Sequence, residues 1–168
     1  MYPTYNSKFP ELGFYGLPGH SRAPRDILRQ AQDAEALGIG NIMISERADF
    51  KEISALCGAV AGVTNTLYIG TSGTNLNTRH PIVTASMGST LNRLSEGRFA
   101  LGLAKGVKLR WQALNVDFPN FAHERSFVEL MRKLWRGEQV IGHDSPLGQY
   151  PVLQLAPYVS EDIPLMYI

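Results

Sequence analysis

The chain has 168 residues, of which 44% are hydrophobic and 18% are charged. Its 16 lysines and arginines nearly balance 15 aspartates and glutamates, and the net charge of +1 gives no electrostatic reason to expect nucleic acid or an anionic membrane as a partner. The single cysteine, Cys57, excludes an intrachain disulfide, residues 1–8 lack the apolar core of a secretory signal, and the uncharged stretch 53–78 is too polar to cross a bilayer. These features predict a soluble, cytoplasmic, globular protein.

Predicted strands and helices alternate along the chain. Short apolar runs that end at glycine, proline or polar residues predict strands, and apolar residues that recur every three or four positions predict helices. Pro24 and Pro81 suit first helical turns, and Gly38 suits a left-handed helix end. In chain order we predict strand 11–17, helix 25–37, strand 41–45, helix 51–63, strand 67–74, helix 81–94, strand 98–104, an irregular stretch to residue 119, helix 122–135, a hairpin over 140–155 and strand 164–168.

This alternation predicts a parallel sheet with right-handed crossovers. Two α/β architectures fit, a doubly wound sheet and a (β/α)₈ barrel, and the barrel usually needs about 250 residues. Length and pattern alone therefore favour the doubly wound sheet. The glycine pattern of a dinucleotide site is nevertheless missing from the first turn, and the nearest approach to it, at Gly102, has Ala104 and Val107 at the other two glycine positions.

Polar residues directly follow two of the predicted strands. Glu46 and Arg47 come after strand 41–45, and a Gly-Thr-Ser-Gly-Thr-Asn run over residues 70–75 ends strand 67–74. The carboxyl ends of parallel strands are where α/β folds hold functional groups, so both segments are candidates for a site. From the pattern alone, the first segment is more simply interpreted as a local ion pair in a solvated loop, and the second as an ordinary strand-to-helix turn.

Other reactive side chains form no recognisable site in the sequence. Cys57 lies in a stripe of small residues and is interpreted as a packed core thiol. The serines lack a G-x-S-x-G context, which argues against a hydrolase. No metal is predicted, because the histidines have no partner three or four residues away; they are His20, His80, His123 and His143.

Three longer stretches together resemble the luciferase-like monooxygenase superfamily, specifically its coenzyme F420-dependent oxidoreductases. They are Ile-Ser-Glu-Arg at 44–47, the segment from Ile69 through Thr-Arg-His-Pro to Ala85, and the segment 91–103. The resemblance implies the N-terminal half of a (β/α)₈ TIM barrel, with parallel strands alternating with helices, in place of the doubly wound sheet. It also implies that residues 1–168 form a single partial barrel domain without its C-terminal half.

The resemblance further implies a function and a cofactor. It implies an F420-dependent oxidoreductase that moves a hydride between a deazaflavin and a small organic substrate. Two alternatives are an FMN-dependent luciferase-like monooxygenase and a truncated, non-catalytic half-barrel that acts at most as an interaction module. For a half-barrel with two open sheet edges, we expect the isolated chain to bind no cofactor tightly and to be oligomeric or poorly soluble.

Site residues follow from the same resemblance. It implies a catalytic role for Glu46, and it implies a non-prolyl cis peptide at Ser72–Gly73 in a bulge behind the cofactor ring. It also implies a homo-oligomer that assembles through helices 51–63 and 81–94. The implied cofactor-binding residues are Ser72, Gly73, Thr74, Asn75, Lys105 and Gly106.

The sequence also departs from the pattern of that family at four positions. Glu46 and Arg47 stand where an Asp-His pair is common, so a carboxylate role is retained while an imidazole role is not. Ala104 replaces a common glycine and adds a methyl group near the expected ring. Val107 stands where sugar-phosphate dehydrogenases of the family have a glutamate, so their acid chemistry is not expected here.

Overall fold

The structure, a computed structural model, describes residues 7–19 and 22–168; His20 and Ser21 lie outside the described residues. Strands and helices alternate through most of the chain, as the sequence pattern predicts. In chain order they are β1 (Phe9–Gly16), α1 (Asp26–Leu37), β2 (Ile39–Ile44), α2 (Ile53–Ala61), β3 (Tyr68–Thr71), α3 (Pro81–Leu94), β4 (Phe99–Leu103), α4 (Lys108–Ala113), α5 (Phe121–Trp135), β5 (Val140–Ser145), β6 (Gly148–Leu153) and β7 (Leu165–Tyr167).

The main sheet has the order β1-β2-β3-β4-β7, and every neighbouring pair is parallel. Each strand therefore lies beside the one that precedes it in the parallel series. A doubly wound sheet instead reverses its strand order at a switch point. Right-handed crossovers in one direction place the helices on a single face, where α1 packs on α2, α2 on α3 and α3 on α5. The preference of the alternation pattern for a doubly wound sheet is wrong, and the winding is that of a barrel.

Residues at the helix ends explain why the boundaries fall where they do. Gly38 takes the left-handed conformation after α1, with φ of 80°, and Pro81 opens α3 behind the N-cap residue His80. Helix α2 begins two residues later than predicted because the Glu52 carboxylate caps it. That carboxylate accepts hydrogen bonds from the backbone N–H groups of Ser54 at 3.2 Å and Ala55 at 2.8 Å.

The prediction of an irregular stretch up to residue 119 is wrong in one part. Residues Lys108–Ala113 form the helix α4, which has only six residues. Its one buried residue is Trp111, so the segment carries no repeating apolar pattern for a sequence analysis to detect.

A separate antiparallel hairpin, β5 with β6, stands between α5 and β7, and it confirms the predicted excursion. Ser145 pairs with Gly148 across its turn. Val140 and Leu153 are buried, and β5 packs against α5. None of the helices in the described part of the chain is both long and apolar enough to cross a membrane.

The hydrophobic core lies between the sheet and its helices. Ile42 and Ile44 of β2 point into it, and Phe127 and Trp135 of α5 close it on the other side. Cys57 of α2 is fully buried there, which confirms the interpretation of a packed thiol. Burial, followed by the negative charges of Glu52 and Glu46, raises the pKa of this thiol far above its ordinary value. Its reaction with a thiol reagent therefore reports unfolding.

Both edges of the main sheet are open within residues 7–19 and 22–168. No described strand pairs with the outer side of β1 or of β7. Leu12 on β1 is 50% exposed and Tyr167 on β7 is 59% exposed. These are the two open edges on which the expected self-association of the chain depends.

Glu35 provides a pH-dependent contribution to stability. Its carboxylate accepts hydrogen bonds from the N–H groups of Asn65, Thr66 and Leu67 at 2.8, 2.5 and 3.0 Å. Burial alone would raise the pKa of Glu35, but these hydrogen bonds, led by Thr66, outweigh it and lower the pKa below 4.5. The ionised carboxylate thus stabilises the fold above that pH, and the stabilisation is lost as the pH falls through the lowered pKa.

We expect Glu35→Gln to lower the free energy of unfolding by about 1 kcal/mol near neutral pH, because charged acceptors bind N–H groups more strongly than amides do. The difference from the unsubstituted protein should shrink as the pH falls below 4.5. Urea denaturation over an acid-to-neutral pH series measures it, with the exposed Glu129→Gln as the control. A difference that stays constant over the series contradicts this account.

Candidate active site

The carboxyl ends of β2, β3 and β4 meet at one edge of the sheet, and the segment after β3 is held by both neighbours. The Ser72 N–H donates to the Ile44 carbonyl of β2 at 2.6 Å. On the other side, the Thr74 N–H donates to the Gly102 carbonyl at 2.7 Å, and the Ala104 N–H donates to the Thr74 carbonyl at 3.0 Å. The resulting bulge, residues 72–75, has its backbone fixed before any ligand arrives.

The Ser72–Gly73 peptide bond is cis, as the family resemblance implies. Gly73 packs directly against the end of β4. A Cβ on Gly73 would lie 2.9 Å from the Ala104 Cβ, 2.9 Å from the Leu103 carbonyl carbon and 3.0 Å from the Ala104 nitrogen. The added methyl of Ala104 therefore lies against the bulge, and only glycine fits at position 73.

Both carboxylate oxygens of Glu46 contact other protein groups. Its side chain is 3% exposed, and its Oε2 accepts a hydrogen bond from the Asn75 N–H at 2.9 Å. Its Oε1 forms an ion pair with the Nη2 of Arg79. The same Nη2 lies 2.6 Å from the Oε1 of Glu52, the cap of α2. We call Glu46, Arg79 and Glu52 the carboxylate–arginine cluster.

Contacts within the cluster favour the charged forms of Arg79 and Glu52. Burial alone would lower the pKa of Arg79, but the contacts with Glu46 and then Glu52 outweigh it and raise that pKa. Burial would raise the pKa of Glu52, and hydrogen bonds from Ala55, Ser54 and Arg79 lower it instead. Through these ion pairs and the hydrogen bond from Asn75, the cluster links the end of β2, the bulge after β3 and the start of α2.

The two predicted residues after β4, Lys105 and Gly106, lie in different surroundings. The Lys105 Nζ points toward α5, 3.4 Å from the ring centroid of Phe121 and 3.9 Å from the Glu124 Oε1. Gly106 has a φ of +72°, and a Cβ there would lie 2.8 Å from the indole of Trp111. That indole donates a hydrogen bond to the Lys105 carbonyl at 2.5 Å, which anchors α4 beneath the loop.

A pocket of about 370 Å³ opens between the loop after β2 and helix α4. It brings together Glu46, Asn75 and Gly106 of the predicted residues. Ser72, Gly73 and Thr74 belong to the adjoining bulge, and the Lys105 side chain turns away to α5. The remaining wall comprises Arg47, Ala48, Val107, Leu109, Arg110, Trp111 and Ala113.

The sequence analysis assigned no role to two residues of this site, Arg79 and Arg110, whereas Trp111 was one of several aromatic residues that could line a pocket. The sequence feature that could have drawn attention to Arg79 is its place as a single charge just before His80 and Pro81, where helix α3 begins. Arg110 and Trp111 lie in the stretch that gave no helical pattern, so nothing in the sequence connected them to Glu46.

A singly wound parallel sheet with its candidate site at the carboxyl ends of the strands defines a protein of the TIM-barrel class. Residues 11–168 match the luciferase-like monooxygenase family, and the chain belongs to that family. It is 34% identical over 158 residues to the F420-dependent glucose-6-phosphate dehydrogenase of Kineococcus radiotolerans, covering 82% of this chain and 47% of that one.

Two solved structures share the fold. The coenzyme F420-dependent tetrahydromethanopterin reductase of Methanopyrus kandleri superposes with a TM-score of 0.75 at 21% identity, over 93% of this chain and 49% of that chain. The oxygenating constituent of 3,6-diketocamphane monooxygenase from Pseudomonas putida, solved with FMN, gives 0.72 at 24% identity, over 86% and 43%. The half-barrel expectation for the fold is thereby confirmed, and the chain spans about half the length of these relatives.

Proposed function

We propose that the chain is part of a cytoplasmic F420-dependent oxidoreductase, which moves a hydride between the deazaflavin and a small organic substrate. In this proposal residues 1–168 form one partial barrel domain. The observation that carries it is the pocket at the strand ends, where Glu46, Asn75 and Gly106 come together from three different strand-to-helix segments. The names of its relatives support the same chemistry.

The residues present fit a flat ring. The absence of a Cβ on Gly73 lets the bulge pack directly on the end of β4, and Ser72 and Gly73 are half-buried while Thr74 and Asn75 are buried. Among the described residues, the buried Thr74 hydroxyl has no hydrogen-bond partner. Ser72, Gly73, Thr74 and Asn75 would hold the ring, with Gly106 at the pocket wall. The Lys105 side chain, which was also predicted to bind the cofactor, points to α5 and would have to turn back to reach the ring.

When bound, the cofactor supplies the hydride chemistry, and the protein supplies orientation and exclusion of water. The bulge would support one face of the ring because the N–H groups of Ser72 and Thr74 are bonded to β2 and β4, and that of Asn75 is bonded to Glu46. Glu46 would hold Asn75 in place, and a proton-transferring role for Glu46 at the polar edge of the ring remains our prediction from the sequence.

Titration of the whole protein to which this chain belongs with coenzyme F420 and, separately, with FMN tests this function, because residues 1–168 alone are expected to bind no cofactor tightly. We expect saturable quenching of F420 fluorescence, and weaker binding of FMN. Tighter binding of FMN would favour the monooxygenase alternative, which is supported by the FMN-bound structural relative. Binding of neither cofactor would contradict the proposal and leave the non-catalytic half-barrel.

We also propose that the protein is a homo-oligomer. A groove of about 660 Å³ lies between α2 and α3, and its wall includes Gly58, Val83 and Leu94. Val83 is 52% exposed and Leu94 is 51% exposed, and the small residues of α2 permit a close approach by a second copy.

Val83→Arg is expected to convert the oligomer to a smaller species, because it places a charge in this apolar groove. Light scattering measures the change. The control is Ile141→Arg, at an equally apolar position on the hairpin that is 71% exposed. An unchanged size in Val83→Arg would remove the groove as the interface and favour the open sheet edges.

A further inference from the structure

Arg47 carries a positive charge that none of the described residues pairs with a carboxylate. Its side chain lines the 370 Å³ pocket, and its buried Nε has no hydrogen-bond partner. Arg110, on the facing wall, pairs with Asp49. Arg79 also leaves one nitrogen unsatisfied, but two carboxylates compensate its charge. A buried N–H without a partner is unfavourable, which makes an unpaired guanidinium in a pocket a ready donor for a ligand.

The backbone of Arg47 is fixed in place. Its N–H donates to the Lys51 carbonyl at 3.0 Å, and the Lys51 N–H donates back to the Arg47 carbonyl at 2.8 Å. The Lys51 Nζ in turn donates to the Leu17 carbonyl at 2.9 Å, at the end of β1. A donor on a tight, anchored turn loses little conformational entropy when it binds a ligand.

The charge around the pocket has the sign that an anion needs. Asp49 is paired with Arg110, and the charge of Glu46 is held by Arg79. Burial and then the positive charge of Arg47 lower the pKa of Lys51, as expected beside an uncompensated cation. The charged groups of residues 46–52 and 108–113, together with Arg79, are Arg47, Lys51, Arg79, Lys108 and Arg110 against Glu46, Asp49 and Glu52, which leaves two positive charges over.

We propose that Arg47 binds an anionic group, a carboxylate or a phosphate, of a ligand that enters the pocket between the β2 loop and α4. The planar guanidinium suits both groups, because each can accept two hydrogen bonds from it. This inference rests on the proposed function for the identity of the ligand, which is either the substrate or the cofactor. The inference predicts that the ligand of this mainly apolar pocket carries an anionic group.

Inorganic phosphate is the probe for this site, and Trp111 is its reporter. Trp111 lines the pocket, whereas Trp135 lies in the core and donates to the Ala85 carbonyl. We expect a saturable change in tryptophan fluorescence when the protein is titrated with phosphate. Arg47→Gln should weaken phosphate binding about tenfold or more, because it removes a charged donor. The matched control is Arg125→Gln, at an exposed position on α5.

Three results would overturn the proposal. They are no response to phosphate in the unsubstituted protein, an equal response in Arg47→Gln, and a response that persists in Trp111→Phe and therefore reports another place. Protection of the Cys57 thiol shows in each variant that the fold is intact. If Arg47→Gln loses that protection, the same titration is made with Arg47→Lys, for which weakened phosphate binding supports the proposal and unchanged binding opposes it.

The source of the anion is decided by a second titration, with coenzyme F420. Unchanged F420 affinity in Arg47→Gln assigns the anion to the substrate, and weakened F420 affinity assigns it to the cofactor. The phosphate titration needs no cofactor. Failure of the proposed function, seen as binding of neither F420 nor FMN, is therefore distinguishable from failure of the Arg47 site.

Discussion

Replacing Gly73 with alanine is expected to lower the free energy of unfolding by about 3 kcal/mol, the upper part of the usual range for overpacking. Two of the three atoms that the new methyl would meet, the Leu103 carbonyl carbon and the Ala104 nitrogen, belong to the backbone. The hydrogen bonds between Thr74 and β4 hold that backbone, so it cannot shift without breaking them. Urea denaturation followed by reaction of the Cys57 thiol measures the loss.

Gly62→Ala is the matched control for this prediction. Gly62 has an ordinary φ of −75°, and its nearest contact for a Cβ is at 3.6 Å, so the substitution should leave stability unchanged or slightly increased. Ala104→Gly added to Gly73→Ala should recover part of the loss, because it removes one of the three short contacts. Equal effects of Gly73→Ala and Gly62→Ala, with no recovery in the double variant, would show that the bulge adapts freely.

Local signals in the sequence predicted most of the fold. Gly38 and Pro81 fixed two helix boundaries because their backbone preferences act within one turn of chain. The choice between two α/β architectures was different, because strand order depends on contacts between distant segments and the alternation pattern is common to both. The barrel was predicted correctly only because segments such as 69–85 resemble the luciferase-like family.

The candidate site was predictable in its backbone but not in its side-chain partnerships. Residues 72–75 could be identified because a strand end rich in small residues is a local feature. The link of Glu46 to Arg79 crosses from one strand-to-helix segment to the next, 33 positions along the chain, and no local pattern encodes it. The same is true of Trp111, whose role depends on the glycine at position 106 that lies against its ring.

Glu46→Ala is expected to lower the free energy of unfolding by about 3 kcal/mol, because it breaks a buried ion pair. It leaves the Asn75 N–H without its acceptor and removes the more buried of the two carboxylates that face Arg79. The loss falls at the lower end of the range for buried pairs, since Glu52 still compensates Arg79. The control is Glu138→Gln in an exposed ion pair with Arg136, which should change stability by less than about 0.5 kcal/mol.

Substitutions of Glu46 distinguish between two roles that the geometry permits, proton transfer and positioning of the bulge. If Glu46 transfers a proton, Glu46→Gln should abolish turnover and leave cofactor affinity nearly unchanged, because the amide oxygen still accepts from Asn75. If Glu46 mainly positions the bulge, Glu46→Gln and Arg79→Gln should both weaken cofactor binding, and to a similar extent, since each breaks the same ion pair. We expect the second pattern, because both carboxylate oxygens already have protein partners and Asn75 connects them to the ring-binding segment. Lost turnover with unchanged cofactor affinity in Glu46→Gln, and unaltered behaviour of Arg79→Gln, would assign Glu46 to proton transfer instead.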